Sequence, residues 1–234
     1  MDSPLFILWL GEEEINEERQ KAIDNLPENK VLITKQNLGN WVKEGFPLHP
    51  AYEYLSTIHK SDYLRCYLLY HYGGGYSDIK YNNINWAEAF SKINKDPETM
   101  LLGVKTHKGH TIARIEEWGE DIEKMIIDHI DKLVSCCFFV CKAKNLIVEE
   151  WYKELNNRLD LFLPCLLKNP SQFTRECFHP QLGYALEKPI WEDPDTNKKT
   201  QYPLSWNIIL AQIFYPIQLK YLRHIDNYTM KHDL

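Results

Sequence analysis

The sequence predicts an α/β protein, a single domain over residues 1–234 with a mainly parallel central sheet flanked by helices. Strand-length apolar runs alternate with stretches of helical period, the pattern of βα units. No stretch rich in glycine, proline and serine cuts the chain. A chain of 234 residues is also long enough to bury roughly 70% of its unfolded surface without staples.

The elements follow in order. Leu5 to Leu10 is wholly apolar and stops at Gly11, as a strand covered on both faces would. Glu12 to Leu26 has Ile15, Ala22, Ile23 and Leu26 on one side and acids in its first turn, and Pro27 ends it. Val31 to Thr34 is a second short strand. Ala51 to Tyr72 reads as a helix ended by glycine. Tyr76 to Tyr81 reads as extended, with Tyr76, Asp78 and Lys80 on one face. Trp86 to Ile93 is helical, and Met100 to Lys105 is a strand. Ile115 to Leu133 is an acidic amphipathic helix, Cys136 to Cys141 a core strand, and Leu146 to Leu161 a helix. Glu192 to Gln201 is a polar loop or lid, and Tyr202 to Tyr215 is apolar and aromatic.

Composition narrows the function. The net charge of -6 and the lack of a basic stripe argue against nucleic acid as a partner. The apolar run at the N-terminus is too short and wrongly flanked for a signal peptide or a membrane span. The expectation is a soluble cytosolic protein without a transmembrane segment, able to act near a membrane. Cys136, Cys137 and Cys141 match neither zinc nor redox spacing and read as buried thiols of a core strand.

The most informative stretch is 59–80. Ile58, Asp62, Arg65 and Leu69 share one helix face, so a charged pair interrupts an apolar stripe. Such a pair is either a solvated i,i+3 ion pair or the lining of a pocket. Its apolar flanks favour the pocket, with Asp62 accepting from sugar hydroxyls and Arg65 donating to sugar or phosphate. Gly73, Gly74 and Gly75 let the backbone approach a ligand, and Asp78 follows. At the carboxyl end of a strand, an acid can hold Mg²⁺ or Mn²⁺ against a diphosphate. The glycines fit neither a Walker A nor a dinucleotide fingerprint.

Ser61-Asp62-x-x-Arg65 followed by Tyr72-Gly-Gly-Gly-Tyr-x-Asp78 resembles the sugar-binding DXD region of glycosyltransferases. Closest are the capsular-polysaccharide and mannosyltransferase-like groups of bacteria and large viruses; the glucosylating domains of clostridial toxins are more distantly similar. Phe6 to Gly11 is similar to their first strand, and Tyr202 to Trp206 resembles their closing segment. Residues 82 to 200 align only by the order of elements.

The resemblance implies a GT-A-like fold, a divalent metal (Mn²⁺ or Mg²⁺), and a hexosyltransferase. Its donor would be a nucleoside diphosphate sugar, UDP-linked by preference, and its acceptor a hydroxyl of a glycan or lipid-linked molecule. It implies that Trp9 stacks on the base, although core packing is an equal reading of that residue. It further implies that Asp62, Arg65, Gly74 and Gly75 bind the donor, that Asp78 holds the metal, and that Ser205 and Trp206 contact the phosphates. Retention of anomeric configuration is the family's usual outcome.

One departure stands out. The second acid of the motif is Lys80, which cannot ligate a metal. It leaves three readings: the ammonium supports the diphosphate itself; Asp78 holds the ion with waters and phosphates; or the protein is a non-catalytic nucleotide-sugar or glycan binder with a degenerate motif. Glu192, Asp193 and Asp195 are either a source of a second ligand or solvated loop acids. His107 and His110 lie in a polar turn without a neighbouring cysteine or acid. Nothing singles out His179 or Asp128 as acceptor contacts. A metal-dependent phosphohydrolase would need more clustered acids or histidines.

Overall fold

The computed structural model describes residues 3–106, 119–177, 191–192 and 199–228. A six-stranded mixed, mostly parallel sheet has helices on both faces. Its strands are β1 (Leu5–Trp9), β2 (Lys30–Thr34), β3 (Gly74–Ser77), β4 (Leu101–Lys105), β5 (Val134–Cys141) and β8 (Ile225–Tyr228). The spatial order is β2-β1-β3-β5-β4-β8. β1 is parallel to both β2 and β3, and β4 is parallel to β8. β5 runs antiparallel to both of its neighbours. A separate two-stranded ribbon joins β6 (Trp191–Glu192) to β7 (Lys199–Thr200).

The uninterrupted apolar run of β1 has a simple cause. Phe6 and Leu8 enter the core on one face of the sheet, and Leu5 and Ile7 enter the core on the other. The first core holds α2 (Thr57–Tyr72), α5 (Leu146–Lys168) and α6 (Ala211–Lys220). There Tyr63, Tyr67, Trp151 and Phe214 are fully buried. Each such side chain contributes about 1.5–3 kcal/mol through burial. The second core packs Ala22 and Ile23 of α1 (Glu17–Asp24) and Trp86, Ala89 and Ile93 of α3 (Trp86–Lys95) against the sheet. α4 (Glu120–His129) leans on α6 through Ile126 and Tyr215.

Several boundaries differ from the sequence expectation, each for a local reason. The helix expected from Ala51 starts at Thr57, because Pro50–Tyr54 forms a separate 3-10 turn and the Ser56 side chain caps the new start. The helix expected from Glu12 starts at Glu17, capped by Asn16. α5 runs on through Pro164 to Lys168 rather than stopping at Leu161. The extended stretch expected to reach Tyr81 ends at Ser77 and gives way to a turn. Ile115, where the acidic helix was expected to begin, lies outside the described residues, as do 193–198 of the polar loop.

β5 carries an irregularity that matters for the site. Gly103 pairs with Phe139, but Lys105 pairs with Val134, where unbroken pairing would set it opposite Cys137. The extra residues around 135–137 form a bulge, which turns backbone groups out of the ladder with β4.

Candidate functional site

From β1 the chain crosses through α1 to β2 on one side, and later returns through α2 to β3 on the other. The carboxyl ends of β1 and β3 therefore flank a topological switch point, where open α/β sheets form a crevice for ligands. Trp9 is the last residue of β1, and Asp78 is the first beyond β3.

α2 delivers the central charges. It packs between the sheet and α5, so its whole run from Asp62 to Leu69 is buried. The side chains of Asp62 and Arg65 are each 7% exposed, with Arg65 Nη2 3.6 Å from Asp62 Oδ1. The pair is thus no solvated surface ion pair. Arg65 Nη2 also lies 3.5 Å from Asp78 Oδ1 and donates to the Tyr76 hydroxyl at 2.9 Å. Its Nη1 donates to the Cys136 carbonyl at 2.6 Å, and its guanidinium lies 4.1 Å from the centre of the Tyr76 ring. The Tyr76 hydroxyl donates to Asp78 Oδ1 at 3.0 Å. On the other oxygen of Asp78, Lys80 Nζ donates at 2.9 Å. The three residues named from the sequence thus converge, with Lys80 and Tyr76 completing the group.

Electrostatics separate the two acids. Burial pushes the Asp62 carboxyl up to about 7, and Arg65 offsets only part of that rise. Burial also acts to raise Asp78, yet Arg65 and Lys80 outweigh it and hold that carboxyl below its usual range. Asp62 accepts no hydrogen bond among the described residues. Arg65 Nε is buried without a partner. Buried polar atoms are rarely left unsatisfied, and those that are call for an explanation, a ligand among them.

The turn after β3 is braced along its backbone. Asp78 N donates to the Cys137 carbonyl, the next rung after the Ser77–Phe138 pairing. The Asp78 carbonyl accepts from Lys80 N and from Ser77 Oγ. Arg19 Nη1 donates to the Ile79 carbonyl at 3.0 Å, and Asn82 donates to the Lys80 carbonyl at 3.2 Å. Arg19 also stands 5.6 Å from the Trp9 ring, linking the end of β1 to the turn. Trp9 is half-buried, and its indole N–H donates to the Glu13 carbonyl at 2.8 Å.

The closing segment reaches α2 through a residue that sequence reasoning passed over. His59 is fully buried one turn before Asp62. Its Nε2 lies 3.1 Å from the Ser205 carbonyl, and its Nδ1 lies 2.9 Å from the Tyr202 hydroxyl. Burial lowers its pKa to about 4, against the pull of the Ser205 and Trp206 backbone. The imidazole is therefore neutral at pH 7. His59, Asp62 and Arg65 follow one another at about 4.5 Å of helix rise. Ser205 is thus tied to one end of that row and Asp78 to the other. Trp206 is half-buried beneath the Arg175 guanidinium, 5.8 Å from the ring centre.

Local geometry bears on two further expectations. Gly74 and Gly75 were expected to bring their backbone to a ligand. Instead, a Cβ on Gly74, at φ +93, would stand 2.2 Å from the Pro4 carbonyl oxygen, and one on Gly75 would stand 2.8 Å from Leu5 Cδ1. Gly75 N is already bonded to the Pro4 carbonyl. The glycines let β3 pack tightly between β1 and β5. The second concerns the metal expected on Asp78. Lys80 and Arg65 already neutralise that carboxylate, and the motif's second donor is an ammonium. No group of three or more histidine, cysteine, aspartate or glutamate side chains suited to a metal occurs among the described residues. The described residues do not fit a divalent ion.

Asp128 is exposed on α4. His107, His110, His179, Asp193 and Asp195 lie outside the described residues, and of Glu192 only the backbone is described. Cys136 and Cys137 are half-buried at the bulge rather than wholly in the core, and serve the site through their carbonyls. None of the six cysteines forms a disulfide. Among the described residues no helix is long and apolar enough to cross a membrane. Among the described residues the arrangement offers a carboxylate without hydrogen bonds, two cations and a half-buried indole, which together suit a polar anionic ligand.

Residues 12–83 match the model of the glycosyltransferase sugar-binding region containing DXD motif. The match spans less than half of the chain but includes Asp62, Arg65, Asp78 and Lys80. It supports the DXD glycosyltransferases as the family, and with them a role in glycosyl transfer. No curated protein and no solved structure matches the chain.

Proposed function

We propose, from the glycosyltransferase match of residues 12–83, that the protein moves a hexose or deoxyhexose from a nucleoside diphosphate sugar to a hydroxyl of a glycan or lipid-linked acceptor. UDP is the favoured nucleoside diphosphate. The single observation that carries this reading is Asp62: a nine-tenths buried carboxylate without hydrogen bonds among the described residues, beside Arg65, at the sheet's switch point. Sugar hydroxyls are the donors it lacks. Trp9 receives the base, Arg65 reaches the sugar or the phosphates, and Ser205 and Trp206 approach the diphosphate from the closing segment.

In the reaction, the bond from the anomeric carbon to the phosphate oxygen breaks, and its electron pair stays on that oxygen. The acceptor oxygen bonds to the anomeric carbon, and its proton passes to the released diphosphate. Cationic stabilisation of the departing group carries the catalysis. Retention of configuration is the proposed outcome, which needs no separate general base.

A second reading keeps the binding and drops the chemistry. Lys80 in place of the motif's second acid favours it. Incubation with a panel of UDP- and GDP-sugars separates the two. Slow release of free sugar and nucleoside diphosphate is expected of the enzyme, and saturable binding without release of either product would establish the binding protein.

A further inference from the structure

The nearest cation to Asp78 Oδ2 belongs to the chain itself. Lys80 Nζ lies 2.9 Å from Oδ2, and Oδ1 is shared by the Tyr76 hydroxyl at 3.0 Å and Arg65 at 3.5 Å. A divalent ion on this carboxylate would have to displace the ammonium or sit against it, with like charges a few ångströms apart. The turn fixes the backbone that carries both residues, because each carbonyl from Asp78 to Lys80 accepts a hydrogen bond. The ammonium has three donors, of which Asp78 takes one. Its side chain is 62% exposed, whereas that of Asp78 is 19% exposed. The cation therefore stands at the mouth of the site and the acid behind it.

We propose that this site works without a divalent metal: Asp78 positions the Lys80 ammonium, and Lys80 with Arg65 supplies the positive charge that a diphosphate requires. The inference rests on the nucleotide-sugar reading above. It assigns Asp78 a role opposite to the one its motif implies. The acid holds an internal cation, and a single residue, Lys80, sets the metal requirement. Lys80 meets the phosphates directly, and Asp78 acts through it.

The test is titration of the whole protein with UDP and with GDP by calorimetry, in EDTA and in Mn²⁺, using whichever nucleotide binds. For the wild type the two dissociation constants should agree within about twofold, since no charge is left for the metal to supply. Lys80→Asp restores two carboxylates one residue apart. In that variant Mn²⁺ should tighten nucleotide binding tenfold or more, and the electron spin resonance signal of free Mn²⁺ should fall on adding the protein with nucleotide. Lys80→Ala should bind at least tenfold more weakly than the wild type in EDTA, without rescue by Mn²⁺. Circular dichroism checks that both variants are folded. Wild-type binding that strengthens tenfold with Mn²⁺ overturns this inference and leaves the donor reading standing. A folded Lys80→Asp variant indifferent to Mn²⁺ overturns it as well. If neither nucleotide binds under either condition, the donor reading fails and takes this inference with it.

Discussion

Replacing Asp62 with asparagine tests the link between burial and binding most directly. The side chain is 7% exposed, and its pKa rises from 3.8 to about 7 through burial. A carboxyl whose folded pKa exceeds its unfolded one contributes stability that is complete below 3.8 and lost as pH rises towards 7. Asparagine mimics the protonated form and has no such loss. At 1.36 kcal/mol per tenfold change, Asp62→Asn should gain about 3 kcal/mol on the wild type between pH 4 and pH 6.5. For a chain of this size that is on the order of 10 °C in melting temperature. The window keeps the Cys136 thiol, lowered to about 7 by its bond to Cys137 and by Arg65, mainly protonated. The groups that bear on Asp62 are Arg65, Cys136 and Asp78, and none of them changes in the variant. Chemical denaturation of both proteins at the two pH values measures the difference. The variant should also lose affinity for nucleotide sugars but not for the nucleotide alone. A stability gap of the same size at both pH values would refute the argument that burial holds the Asp62 carboxyl well above its unfolded pKa.

Two further outcomes follow from the scaffold. His59→Gln should cost about 1–3 kcal/mol at pH 7, where the buried ring bonds Ser205 and Tyr202. Because the folded pKa is lowered to about 4, the contribution of His59 is complete above 6.5 and fades as pH falls through 4. The cost should therefore shrink by pH 4.5 in denaturation experiments, and a constant or growing cost would contradict the neutral, buried imidazole. Gly74→Ala combines φ +93 with a Cβ 2.2 Å from a carbonyl oxygen and should destabilise by more than about 4 kcal/mol. A soluble variant with an unchanged melting curve would show that β3 is not packed as described.

Strand-length apolar runs and helical periods were enough to read the α/β class and most elements, because both faces of β1 and the inward sides of α1 and α3 carry apolar side chains at the right spacing. The start of α2 was misread because Pro50 to Tyr54 continues the helical pattern while forming a separate turn. Asp62, Arg65 and Asp78 were legible because charges in an apolar helix stripe and an acid after glycines are visible in one dimension. Their binding partners were not. His59 looks like an ordinary helix residue until Tyr202 and Ser205 fold onto it. Tyr76 gave a partial signal, since its expected face was that of Asp78, and the stacking of Arg65 on its ring was invisible. The packing role of the glycines was not legible, because a tight strand crossing and a ligand approach leave the same mark in a sequence.

The bulge in β5 has a consequence for how this protein can vary. Arg65 and Asp78 grip the peptide oxygens of Cys136 and Cys137. Such a grip is indifferent to which amino acids occupy those two places, but it depends on how many links separate Val134 from Phe139. Exchanging either thiol for another small side chain would leave both backbone clasps in place, whereas excising one residue there would let go of both clasped groups at once.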